Sequence, residues 1–206
     1  MGLLVTFAVL LLTATPAIAA FDRAFEGITD YQMTVSSREV RGSSVQERTY
    51  HYAFLRPHYE KIDILSGEGR GGGAVWIGGE SVKGHKGFLS FIHLTRSLHS
   101  PDATSLLGLT MVNGLMQNVV DRFKTTAGKL EQHPGPVIDG RPTDEVVLHI
   151  ADPASNFGID KFVLDLSRAT HFPVLETAYA RGVIVLDQRY LEIKINTGLA
   201  AGDFPY

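Results

Sequence analysis

No cysteine occurs in the 206 residues, so disulfides, thiolate metal ligands, a thiol nucleophile and thiol-anchored lipidation are all excluded. Positive charge is also thin. The formal net charge is −3 and no block of Lys or Arg appears, which argues against a nucleic-acid surface, because such a surface needs a basic stripe to displace counterions. The eight histidines include no HExxH and no helical i, i+4 pair, so no metal site is expected. Equally absent are a G-x-S-x-G elbow, an S-x-x-K and a Walker lysine. Asp63 with Glu68, or Asp160 with Asp165, could form paired carboxylates of the glycosidase kind, but solvated strand faces and turn ends account for them better.

The N-terminus lacks charge as well. MGLLVTFAVLLLTATPAIAA has an apolar run from Leu3 to Leu12, then Pro16, then the small-residue pattern Ala17-Ile18-Ala19. This reads as a secretory signal peptide over 1–19, followed by a single domain over 20–206. A retained anchor is the other reading, for which the run is short. An exported chain without disulfides rests on its core alone, which suits a bacterial periplasm.

The glycines stand out among what is present. Gly67, Gly69 and Gly72 fall in the literal G-x-G-x-x-G spacing of a dinucleotide fingerprint. That fingerprint works only between a strand and a helix N-terminus, where amides and macrodipole hold the pyrophosphate. Here Tyr59 to Leu65 and Ala74 to Ile77 both read as strands, so a β-hairpin connection is expected.

Alternation predicts further strands at Tyr31 to Val35, Arg48 to Arg56, Ser81 to His85, Glu145 to Ile150, Lys161 to Leu166, Val174 to Ala180 and Gly182 to Asn196. In the last of these, Tyr190 to Ile195 alternates strictly, as a half-buried strand with one wet face does. Helical periodicity predicts helices over Phe21 to Ile28, Phe88 to Leu98 and Ser105 to Thr125. The sum is a curved antiparallel sheet with helices covering one side.

Strand parity places Tyr50, Tyr52, Phe54 and Arg56 on one face. That aromatic row needs a cover, and the amphipathic segment Leu106 to Phe123 can supply it, with flexible Met111 and Met116 and helix-weakening Gly108 and Gly114. A tight fit makes a plain core, whereas a loose one makes a lined apolar pocket. The candidate pocket residues on the sheet are Tyr50, Tyr52, Phe54 and the single tryptophan, Trp76. On the cover they are Met111, Leu115, Met116 and Val119.

Several short motifs together resemble a known family. Asp30-Tyr31-Gln32-Met33-Thr34-Val35, Ser44-Val45-Gln46-Glu47, Tyr52-Ala53-Phe54-Leu55-Arg56-Pro57 and Val75-Trp76 are similar in order and character to the periplasmic lipoprotein carriers of the LolA/LolB-like family. The later stretches Phe162 to Asp165, Ala169 to Val174 and Tyr190 to Asn196, with Gly198-Leu199 and Phe204, agree in outline. The resemblance implies an unclosed, strongly curved antiparallel β-barrel covered by lid helices, with acyl chains held in the apolar space between. It implies no enzyme activity and no cofactor. The partners it implies are lipid or lipoprotein acyl chains, an inner-membrane transporter and an outer-membrane acceptor. Arg56, directly before Pro57, takes the place of the family arginine that bonds to the lid and helps hold it closed. A protein-interaction or envelope-sensor module on the same fold is the alternative.

Overall fold

The structure, a computed structural model, describes residues 15–87 and 93–205. Helix α1 runs over Pro16–Phe25, capped by the Thr15 side chain, with Pro16 at the first position where its missing N–H costs nothing. It begins five residues before the expected Phe21 and ends before Ile28, because the Thr-Pro start signal lies inside the stretch read as a leader. Ala17, Ile18, Phe21 and Phe25 form its buried face. Ile18 is fully buried, so in the chain that retains residues 15–19 Ile18→Val is expected to lower stability by about 1 kcal/mol in chemical denaturation. A change indistinguishable from zero would mean that the Thr15–Ala19 turn is not part of the stable fold.

Eleven antiparallel strands follow: β1 Asp30–Arg41, β2 Ser44–Leu55, β3 Tyr59–Gly67, β4 Gly73–Trp76, β5 Ser81–His85, β6 Leu94–Ser97, β7 Gly128–Ile138, β8 Arg141–Ile150, β9 Lys161–Ser167, β10 Pro173–Ala180 and β11 Val183–Ile195. They form one sheet in the order β6-β5-β4-β3-β2-β1-β11-β10-β9-β8-β7. Two meanders therefore meet where the first strand pairs with the last, with Val35 opposite Tyr190. The outer strands β6 and β7 do not pair with each other, so the sheet stays open, as expected from the sequence.

Between the meanders lies the cover. A short 3-10 turn, Met111–Gly114, leads into α2, Met116–Thr125. Met116, Val119, Val120 and Phe123 are all fully buried in one core with Leu148, Phe162 and Leu164 from the β7–β11 half. Each such side chain contributes about 1.5–3 kcal/mol by leaving water. On this half of the sheet the fit is tight.

Four sequence expectations change. Of the helix expected over 88–98, residues 88–92 lie outside the described residues, and Leu94–Ser97 is instead the edge strand β6, all four residues exposed. The second helix starts at Met116 and not Ser105, since Gly108 adopts a positive φ of 81° and Thr110 pairs with Thr104 in an isolated bridge. Strand β7 was not anticipated, because Pro134-Gly135-Pro136 reads as a turn. An edge strand tolerates those prolines, and its register slips between Pro134 and Val137 to accommodate them. Gly135 is required there, since a Cβ would lie 2.2 Å from the Thr143 hydroxyl. Finally, the alternation of Tyr190 to Ile195 is broken by a bulge opposite Met33, with Glu192 at a φ of 52°.

Candidate functional site

The register sets the concave wall. Tyr31 lies opposite Phe54, Met33 opposite Tyr52 and Val35 opposite Tyr50. On the next strand, Glu60, Ile62 and Ile64 continue those three rows, and Trp76 and Ala74 extend two of them. Residues paired across a ladder share a face, so aromatic and aliphatic groups line the inside of the β1–β5 half.

Over this half the cover is a loop segment and not a helix, and it does not fill the space. A cavity of about 1000 Å³ opens between the sheet and residues 99–114. Its floor includes Tyr50, Tyr52, Ile62, Ile64, Val82 and Met111. At its more exposed edge it carries Arg41, Arg48, Arg70, Lys86 and Arg96 against Glu68 and Asp102, with Glu39 buried in its lining. The volume is that of a small-molecule pocket, with an apolar floor and a charged edge.

The eight candidate pocket residues separate into three on the cavity, four in the main core and one between. Tyr50, Tyr52 and Met111 lie on the cavity. Phe54, Leu115, Met116 and Val119 are packed into the main core, away from it. Trp76 stands one contact behind the cavity wall: it packs against the cluster that contains Val82 and Met111, and its indole N–H donates to the Gly79 carbonyl at 2.7 Å. Arg56 reaches α1, where its guanidinium donates to the carbonyls of Ile28 and Phe25 and lies 5.0 Å over the Phe25 ring. It adds a donor to the Phe25 carbonyl, which also accepts from the Ile28 amide, and supplies one to the Ile28 carbonyl at the helix exit.

The glycine stretch is a hairpin connection between β3 and β4, as expected. The amides of Glu68, Arg70, Gly71 and Gly72 all donate to backbone carbonyls, those of Glu47, Gly67, Ile64 and Gly69. They leave little to offer a phosphate. Gly67 itself is needed for close approach, since a Cβ would meet the Glu47 carbonyl oxygen at 2.0 Å. The carboxylate pairs are not gathered into a cleft. Asp63 pairs with His51 on the face opposite Ile62 and Ile64, while Glu68 is on the cavity rim. Asp160 precedes β9 and Asp165 lies five residues along, about 16 Å away on an extended strand. Among the described residues no cluster of His, Asp or Glu could hold a metal.

Polar residues that the sequence reading passed over tie the cover to the sheet. The Leu107 amide donates to Glu39 at 2.8 Å, the Leu106 amide to Gln46 at 3.2 Å and the Met116 amide to the Tyr31 hydroxyl at 3.0 Å. Arg122 of α2 pairs with the buried Glu176 carboxylate and stacks 4.9 Å from the Phe162 ring. Glu176 also accepts from the Tyr190 hydroxyl. Burial pushes the Glu176 carboxyl above the usual range, against the opposing pull of Arg122 and Tyr190. Glu60 is wholly buried, accepts from the Tyr52 hydroxyl at 2.8 Å and leaves its second oxygen without a partner. Burial raises its pKa to about 8. A signal for these acids was present in the sequence: Glu39, Glu60 and Glu176 each share strand parity with neighbouring apolar residues.

No family model matches the chain, and no curated protein matches it. Solved structures do. An uncharacterised conserved protein of Thermus thermophilus aligns over 93% of this chain and 94% of its own, at 15% identity and a TM-score of 0.61. MucB of Pseudomonas aeruginosa, solved in complex with MucA, aligns over 93% of this chain at 14% identity and a TM-score of 0.52. This chain spans only 61% of that MucB chain. A LolA superfamily protein of Nitrosomonas europaea aligns over 94% and 99% of the two chains at 14% identity, with a TM-score of 0.43, too low to weigh. At these identities the likeness to the Thermus protein and to MucB is one of fold, which in this chain is an unclosed antiparallel sheet of eleven strands covered on one side by helices and loop.

Proposed function

We propose that the protein is a periplasmic carrier or binder of a lipid-like molecule, and that it holds an acyl chain in the cavity beneath residues 99–114. The observation that carries this reading is the contrast between the two halves of the sheet. One half is filled by α2, while the other keeps about 1000 Å³ of space over an apolar floor. Burying about 300 Å² of chain there would contribute roughly 7 kcal/mol before ordering costs, enough for useful affinity without any covalent chemistry or cofactor. In the fuller form of the proposal the acyl chains belong to lipoproteins in transit from an inner-membrane transporter to an outer-membrane acceptor, and residues 1–19 direct export. The leader and the fold share residues, since α1 uses Pro16 to Ala19.

The protein isolated from the cell envelope tests this directly. Native mass spectrometry should show bound lipid, N-terminal sequencing should start downstream of the apolar run, and the emptied protein should take up a fluorescent acyl probe. Ile64→Trp adds bulk over a cavity wall that is still partly exposed, and should weaken uptake about tenfold, equivalent to about 1.4 kcal/mol. Empty protein that refuses the probe would refute the reading.

Recognition of a polypeptide is the second reading, and the MucB–MucA complex on this fold favours it. A native protein that holds a stable protein partner but refuses the acyl probe would decide for the sensor or interaction role.

A further inference from the structure

We infer that the cavity selects an amphiphile with an anionic headgroup, phosphate or carboxylate, held at the mouth by Arg41, Arg48 and Arg70 while its chain lies on the apolar floor. This rests on the lipid-binding reading and goes further, to the chemistry of the headgroup. The chain as a whole carries −3, yet the side chains lining the cavity include five cations and three carboxylates, of which Glu39 is buried. Positive charge is concentrated where a ligand would enter.

The carboxylates do not use up that charge. Asp102 serves both Lys86, at 3.2 Å, and Arg96, at 3.8 Å. Glu68 approaches only Arg48, at 4.0 Å, and its other oxygen accepts from Gln46. Glu39 is committed to the Leu107 amide. Arg41 donates to the Leu106 carbonyl at 3.4 Å and has no carboxylate partner among the described residues. Arg70 is exposed, and its side chain has neither hydrogen bond nor ion pair among them. The Arg48 Nε is buried and unpartnered. Three guanidinium groups thus retain donors, and a planar guanidinium matches an oxyanion with two parallel hydrogen bonds.

These groups belong to one rim. The Leu106 backbone links Arg41 to Gln46, and Gln46 in turn bonds Glu68, which faces Arg48. Arg70 sits two residues beyond Glu68, in the glycine hairpin that forms part of the same wall. That hairpin brings a guanidinium to the mouth while its own amides stay committed to backbone carbonyls. Without a ring of amides, a free anion has only screened surface charge to hold it, so the apolar chain must supply much of the affinity.

Three probes decide the matter: a fluorescent alkyl phosphate, the uncharged alkyl glucoside of equal chain length, and inorganic phosphate as competitor. The native protein should bind the alkyl phosphate about tenfold tighter than the glucoside, and added salt should shrink that preference. Arg41→Gln/Arg48→Gln/Arg70→Gln should bind both probes alike, with glucoside affinity unchanged. Equal binding of the two probes by the native protein would overturn the headgroup inference and leave the lipid-binding reading standing. Refusal of both would remove the two together. Displacement by inorganic phosphate at concentrations comparable to the probe would also overturn the inference, by revealing an anion site independent of the chain. If the triple variant does not fold, Arg70→Gln decides alone: a preference reduced about threefold supports the inference, and an unchanged one overturns it.

Discussion

Glu60→Gln will remove the largest share of a fall in stability that the native protein shows as the pH rises from about 5 to about 8. Glu60 is wholly buried on the concave wall, with the Tyr52 hydroxyl as its one hydrogen-bond donor. Burial is the largest influence and raises the folded pKa to about 8; the Tyr52 hydrogen bond opposes it. The sign follows from linkage. A folded pKa above the ordinary carboxyl value means that folding takes up a proton within this window, so Glu60 contributes its full stability below about pH 4.5 and loses it progressively up to about pH 8. At about 1.4 kcal/mol for each unit of separation, the loss is on the order of 4 kcal/mol. Glutamine keeps an acceptor for Tyr52 and carries no charge, so it resembles the protonated acid at every pH. Asp165, raised to about 6 by burial, and Glu176, also raised, give slopes of the same sign in both proteins. Urea denaturation of the two proteins between pH 5 and pH 8 isolates Glu60 in their difference. Parallel curves would show that the carboxyl ionises in the folded state without cost.

Glu60 also shows what was readable in the sequence and what was not. Tyr50, Tyr52 and Phe54 announce a buried face because a strand repeats every two residues, and the period needs no knowledge of partners. Glu60, Ile62 and Ile64 obey the same period, but a glutamate in that pattern is more often a strand end in water than a buried acid. Only pairing with Phe54 and Trp76 places it inside. Strand β7 escaped because its prolines break a local rule that an edge strand does not have to obey. β6 escaped because all four of its residues are exposed and offer no apolar face to detect. The cover was legible as amphipathic over 106–123, but not where it tightens. A helix from Met116 fills its half of the sheet, while a turn forced by Gly108 and Thr110 leaves the other half open, and that boundary depends on backbone conformation rather than on hydrophobic period.

Arg122→Met is expected to cost about 3–5 kcal/mol near neutral pH, a fall of roughly 10 °C in Tm for a chain of this size. The Glu176 side chain is 1% exposed, and Arg122 is the cation that faces it from α2. Removing the guanidinium leaves a buried carboxylate with only the Tyr190 hydroxyl as donor, and removes the cation from above the Phe162 ring. The isolated charge must then stay ionised at high cost or take up a proton. The deficit should therefore shrink as the pH falls, because a protonated Glu176 no longer needs a counter-charge. Glu176→Gln should cost less, since the Arg122 side chain is 14% exposed and can reach water once released. The double variant Arg122→Met/Glu176→Gln should recover much of the loss, giving a coupling energy of about 1–3 kcal/mol in a double-mutant cycle. Strict additivity across the cycle would mean that α2 is held by its four buried apolar residues alone. The Arg122–Glu176 pair would then have no part in setting how firmly α2 is held against the β7–β11 half of the sheet.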